Sequence, residues 1–191
     1  MVTILSPELT FPTLDTLLAR YTRPRRRKRM EPLYKEMLSE AQSLVVPQTM
    51  HQEFIVTDTG PIQAGFKPET VATVLGIVTL GPALDERAER LNQSDMAMAV
   101  ILEEIALALV VNLTKTLHGQ LREEYAEKSL KAGPAYRPGI GRWPMELQRT
   151  IFQLLPGDEI GVELTEDLYM LPIQSTSLII PILDRNRADS E

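Results

Sequence analysis

The chain has 191 residues and a formal net charge of −6, with 43% hydrophobic, 24% charged and only 5% aromatic residues. This is the length of one domain with room for a small appendage, and the composition of a soluble globular protein whose core is mostly aliphatic. The absence of cysteine excludes disulfides, thiolate zinc sites, iron–sulfur ligation and a thiol nucleophile, and His51 and His118 alone are too few for a histidine-rich metal centre.

In chain order, residues 11–21 place Leu14, Leu17, Leu18 and Tyr21 at helical spacing. Residues 1–20 lack the basic start and long apolar run of a secretory signal, so the expected location is the cytoplasm. Arg20, Arg23, Arg25, Arg26, Arg27, Lys28 and Arg29 follow as a dense basic cluster in an otherwise acidic chain. Its leading reading is a solvated connector between two helices. An acidic protein partner comes second, and nucleic acid or an anionic membrane face last.

A second helix is expected over 30–45, with Leu33, Met37, Leu38, Ala41 and Leu44 on one face and Pro47 beyond its end. Residues 50–57 alternate as a strand, 58–61 read as a turn, and Val74 to Leu80 form a β-branched run that reads as a buried strand. Pro82 opens a short charged helix over 82–95, whose Asp85, Glu86 and Glu89 read as a solvated face. The longest helix is expected over about 95–128, with Asp95 at its positive end. Its first half is apolar on nearly all sides, which predicts a path through the domain centre. Glu103 and Glu104 interrupt that stretch and argue against a membrane span; one of them is expected to meet an arginine or reach solvent. His118 lies on the amphipathic second half and reads as a surface residue.

Residues 129–143 read as a loop and 144–155 as a helix with Met145, Ile151, Leu154 and Leu155 inward. Strands are expected over 161–164 and 175–182, with Ser175 and Ser177 on one face, and residues 184–191 form a polar tail. Tyr169 and Met170 read as packing residues. The elements mix without βαβ alternation, so the expected class is α+β. Neither a phosphate-binding glycine loop nor a dinucleotide fingerprint is present.

The loop itself has a distinct physical grammar. Pro138 fixes φ, while Gly139 and Gly141 permit backbone angles closed to other residues and a close approach by a ligand. Arg137 and Arg142 suit a carboxylate or phosphate, Tyr136 or Trp143 suits a flat ring, and Pro144 primes a helix start. Two readings remain open on these residues alone: a ligand loop for an anionic, partly aromatic molecule, and a rigid connector.

The run RPGIGRWPMELQRTIFQLL (137–155), followed by IGVELTEDLYMLPIQSTSLIIPI (160–182), resembles the C-terminal half of the activation domain of cobalamin-dependent methionine synthase, in particular its stand-alone bacterial versions. The motifs that carry it are Pro138-Gly139-Ile140-Gly141, Trp143 through Gln148, Leu164-Thr165-Glu166 and Pro172 through Ser177, with 78–91 and 94–106 agreeing in order upstream. The resemblance covers roughly 30–183, leaving 1–29 as an N-terminal extension.

It implies a curved antiparallel sheet packed with helices, one of them long and central. It also implies S-adenosylmethionine binding at Arg137, Pro138, Gly139, Ile140, Gly141, Arg142 and Trp143, with Ser175 and Ser177 secondary and Glu163 and Glu166 nearby. The implied role is accessory: docking on a separate corrinoid-binding protein or methyltransferase and assisting reductive reactivation of its cobalamin, with an external electron donor. The chain departs from the family at Ile140, where an aromatic is usual, at Gln174 and at Ala135. Those departures keep a second reading open, a module that caps or recruits a corrinoid protein without binding S-adenosylmethionine. The corrinoid-ligating Asp-x-His-x-x-Gly run is absent, so the cobalamin is expected on the partner.

Overall fold

Strand β3 (Thr70–Thr79) carries Val74 and Val78 on one face and Leu75 and Ile77 on the other, all buried. The continuous apolar run follows from this, because a strand covered on both faces has no polar side. The computed structural model of the chain describes residues 1–184. In it β1 (Thr3–Leu5), β2 (Gln48–Ile55), β3, β4 (Leu130–Ala132) and the last strand, β7 (Ser175–Asp184), form one antiparallel sheet in the order β1-β2-β3-β7-β4. It curls into a half-barrel. A separate two-stranded ribbon joins β5 (Glu163–Leu164) to β6 (Met170–Leu171). The α+β class and the curved antiparallel sheet are as expected.

One sheet face, with Val74, Val78, Leu178, Ile180 and Ile182, packs on the helices α1 (Leu14–Leu18), α2 (Pro24–Leu44), α3 (Ala83–Ser94) and α4 (Met96–Glu127). The other face, with Met50, Leu75, Ile77 and Ile179, packs on Trp143 and on α5 (Leu147–Leu154). Residues 56–65 form a three-ten segment broken at Gly60, whose φ is 54°.

Helix α4 lies within a residue of its expected bounds. Asp95 caps it, accepting from the amides of Ala97 and Met98 at 3.1 and 3.2 Å. Leu102, Ile105, Leu109, Leu113, Leu117 and Leu121 form a buried stripe at three- and four-residue spacing. The expected central path is corrected in one respect: Met96, Val100 and Leu107 are exposed, so α4 lies against the sheet with one apolar edge facing outward. It is long and apolar enough to cross a membrane, but half of its most apolar stretch is buried inside the fold.

Four other expectations are corrected. The basic cluster is not a connector: α2 begins at Pro24, so Arg25 through Arg29 occupy its first turns. The boundary expected at residue 29 therefore falls inside a helix, and β1 joins the main sheet by pairing with β2. Residues 129–143 are not all loop, because β4 pairs with Ala132 opposite Ile182. Helix α5 starts at Leu147, leaving Pro144 outside it and Met145 43% exposed. Of the polar tail, Asp184 closes β7 and 185–191 lie outside the described residues.

Candidate functional site

The loop that stood out in the sequence is laid along the edge of the sheet. Beyond β4 the chain continues antiparallel to β7, and Tyr136 exchanges two 2.9 Å backbone hydrogen bonds with Ile179. His118 on α4 secures the approach. Its Nε2 lies 2.7 Å from the carbonyl of Gly133, and since a carbonyl only accepts, Nε2 carries the proton. His118 is thus a half-buried tether, not the free surface residue expected.

The loop then folds on itself. The Gly139 amide donates to the Trp143 carbonyl at 2.7 Å, and the Ile140 amide to the Arg137 carbonyl at 3.2 Å. Gly139 and Gly141 have φ of 83° and 63°, which explains glycine at both. A Cβ on Gly139 would also sit 2.6 Å from the Met145 methyl. Pro138 is buried, Arg137 half-buried, and Gly139, Ile140, Gly141 and Arg142 are exposed.

Trp143 is packed inward. It is 3% exposed, with its ring centroid 5.0 Å from that of Tyr136 and 5.6 Å from that of Phe66. Arg142 covers the pair from outside, its guanidinium 5.8 Å from the Tyr136 ring centre and 5.5 Å from that of Trp143. A small cavity of about 140 Å³ opens between Phe66, Lys67, Thr70, Tyr136 and Arg142. Tyr136 and Phe66 are the aromatic faces that line this cavity, and Trp143 packs against both.

Ser175 and Ser177 share a face as expected, but that face is covered. The Ser175 hydroxyl donates to Thr79 Oγ1 at 2.9 Å. Ser177 is 1% exposed and its hydroxyl has no partner. Among the described residues, two other buried polar atoms near this face also lack partners, Trp143 Nε1 and Gln148 Oε1, besides Thr49 Oγ1, His51 Nδ1 and Thr70 Oγ1 elsewhere. Gln148 is 5% exposed on α5, and its amide nitrogen reaches Met145 Sδ at 2.8 Å. One donor, one acceptor and one hydroxyl are thus left unsatisfied in and around the second core, each at a cost in desolvation. Gln148 had no signal of its own in the sequence, because a polar residue on a short helix reads as surface.

A second concavity of about 850 Å³ lies between α3, Glu103 on α4 and the Leu171–Gln174 segment. The two adjacent glutamates of α4 divide their roles. Glu104 pairs with Arg20 at 2.5 Å, while Glu103 is exposed and lines this groove. Asp85 is not a plain solvated residue: its carboxylate accepts from the Ile173 amide at 2.5 Å, joining α3 to the groove's far wall. Burial pushes the Asp85 carboxyl above its usual range and Glu103 adds to the rise, while the amides of Ile173 and Gln174 oppose it. Glu86, Glu89 and Glu163 complete an acidic lining. Glu166 stays at the surface, where its carbonyl accepts from Arg149 at 2.7 Å. Tyr169 is 71% exposed and so does not serve the packing expected of it.

Large apolar side chains stand exposed on the same elements: Val100 and Leu107 on the α4 face that carries Glu103, and Leu171 and Ile173 on the opposite wall. Ile140 on the loop is 60% exposed.

No protein-family model matches the chain, and no curated protein matches it. Among solved structures, the crystal structure of the MetH reactivation domain bound to AdoHcy superposes with a TM-score of 0.66 at 17% sequence identity. The match covers 100% of this chain and 80% of that one, so it takes in the first 29 residues as well. The chain has the fold of the MetH reactivation domain.

Proposed function

We propose that this chain is an accessory module for corrinoid-dependent methyl transfer, which docks on a separate corrinoid protein and assists reductive reactivation of its cobalamin. The observation that carries the reading is a full-length likeness to a reactivation domain solved with AdoHcy, the product left when S-adenosylmethionine gives up its methyl group. The loop supports it. Gly139 and Gly141 expose the backbone, Arg137 and Arg142 offer guanidinium groups for a carboxylate, and Tyr136 offers a ring face for an adenine.

S-adenosylmethionine supplies the methyl sulfonium and the partner supplies the cobalt, with an electron from an external donor. The chain's own part is to hold and orient, which needs no side chain acting as acid or base. Leu171 and Ile173 in the wall of the acidic groove, with Val100 and Leu107 exposed on the α4 face that carries Glu103, suit a protein face that docks over it. The module works in the cytoplasm, beside its partner.

A second reading has its own observation. Ile140 places no ring at the exposed loop position, and Trp143, Ser175 and Ser177 are buried. A module that caps or recruits a corrinoid protein without binding S-adenosylmethionine keeps the docking face and gives up the ligand.

Calorimetric titration with S-adenosylmethionine separates the two. The first reading expects saturable binding by the native chain that is lost in Arg137→Ala. Absence of heat at millimolar ligand, with retained capture of a cobalamin-loaded partner, selects the second. Failure of both ligand binding and capture overturns the proposal.

A further inference from the structure

The basic cluster is left unused by that reading. Arg20, Tyr21, Thr22, Arg23 and Arg26 line a cleft of about 640 Å³ where the turn after α1 enters α2. Three arginines line it. Arg20 and Arg26 lie over the same ring, 5.0 and 5.3 Å from the centre of Tyr21. Arg20 is held in place by Glu104 at 2.5 Å and by the hydroxyl of Tyr34 at 2.7 Å.

Glu104 is the only carboxylate paired with any of the three among the described residues. Asp15 is taken by Arg27 at 2.5 Å. Arg23 and Arg26 have no acidic partner among the described residues, and the first turn of α2 contains no acidic residue. Around the cleft, Arg25, Lys28 and Arg29 are exposed and add charge of the same sign.

This arrangement costs stability as it stands. Like charges one turn apart on a helix repel, and cations are disfavoured at a helix N-terminus. Three cations against one carboxylate leave a surplus of two in the cleft. A carboxylate ligand neutralises one of them. A phosphate monoester carries about −1.5 to −2 at neutral pH and presents three acceptor oxygens, matching both the charge and the donors of Arg23 and Arg26.

We infer that the Arg20–Arg23–Arg26 cleft is a binding site for the phosphoryl group of a soluble phosphate-bearing ligand. The site is separate from the loop at Arg137 and does not depend on it. Arg20, locked by Glu104 and Tyr34, is the fixed wall. Arg23 and Arg26 are the groups that gain a partner.

Calorimetry and thermal melts with pyrophosphate and glycerol 2-phosphate, in phosphate-free buffer of low ionic strength, test the site. The native chain is expected to bind both saturably and melt higher with them, whereas succinate gives little shift. The Arg23→Gln/Arg26→Gln double variant alters exposed side chains only, so it is expected to fold and to bind at least roughly tenfold more weakly. Arg137→Ala is expected to bind as the native chain does. Equal binding by the double variant overturns the inference, as does equal affinity for succinate. Binding restricted to vesicles of phosphatidylglycerol, with none to the soluble phosphates, overturns it as well.

Discussion

The hydroxyl of Tyr34 on α2 donates to Glu104 on α4 at 2.5 Å, across 70 residues of sequence. Tyr34 is fully buried, and Arg20 reaches both partners from the turn between α1 and α2. The triad ties the first 29 residues to the longest helix, so that segment is part of the domain. Tyr34→Phe keeps the ring and its edge contact with Tyr21, whose centroid is 6.0 Å away, and removes only the hydroxyl. Glu104 keeps Arg20, so the expected loss is about 1–2 kcal/mol in urea unfolding. Tyr34→Phe combined with Glu104→Gln should cost less than the two single losses added together, because the pair acts as a unit. Simple additivity would show that the contact contributes nothing.

His51 on β2 supplies a pH dependence. Its Nδ1 is buried and has no hydrogen-bond partner among the described residues. Burial lowers its pKa below the ordinary 6.5, against a smaller opposing pull from Glu124. The folded protein therefore resists protonation that the unfolded chain accepts. This contribution to stability is full above pH 6.5 and is lost as pH falls below that value towards the depressed folded pKa. Urea midpoints at pH 8 and pH 5.5 should show the decline, and His51→Gln should flatten it. An unchanged slope in the variant would assign the decline to other groups.

How much of this was legible depends on how local each signal is. The bounds of α4 and the start of β7 were readable because each carries a long periodic or β-branched run, whereas β7 runs two residues past its expected end at 182. The start of α2 was not, because five consecutive cations hide helical periodicity and resemble a solvated linker. Strand β4 has three residues and exists only because β7 offers an edge. At the candidate site the glycines were readable from backbone demands, and both have positive φ. The burial of Trp143 was not, since it depends on Phe66 and Gly65 nearly eighty residues earlier. Adjacent Glu103 and Glu104 look alike in sequence. Only the packing of α2 against α4 decides which one pairs and which one lines the groove.

Gly65 is a close approach with a measurable consequence. A Cβ there would lie 2.5 Å from the Cη2 and Cζ3 atoms of Trp143, within contact that a ring held between Tyr136 and Phe66 cannot yield. Gly65→Ala is expected to cost about 1–3 kcal/mol by overpacking. Trp143 is the only tryptophan in the chain, so its emission reports this change alone. A red shift should accompany the loss, as the indole moves towards water and the loop after Pro138 loosens. A native emission maximum together with native stability would mean that the ring has room the structure does not show.

Asp85 joins two walls of the acidic groove at the expense of a strained charge. Burial and the neighbouring Glu103 raise its pKa above the ordinary 3.8, so its ionised form is less favourable in the folded chain than in the unfolded one. By linkage, the stability this group contributes is full below 3.8 and is lost as pH rises through the raised folded value. Asp85→Asn keeps an oxygen that can accept from the Ile173 amide and removes the charge. It is expected to raise the urea midpoint at pH 8 and to leave it nearly unchanged near pH 3. Asp85→Ala removes the acceptor too, leaving the Ile173 amide unpaired, so it is expected to lower the midpoint at both pH values. If Asp85→Asn destabilised the chain at pH 8, the carboxylate would be contributing net attraction. The hydrogen bonds to the Ile173 and Gln174 amides would then outweigh burial and Glu103 together.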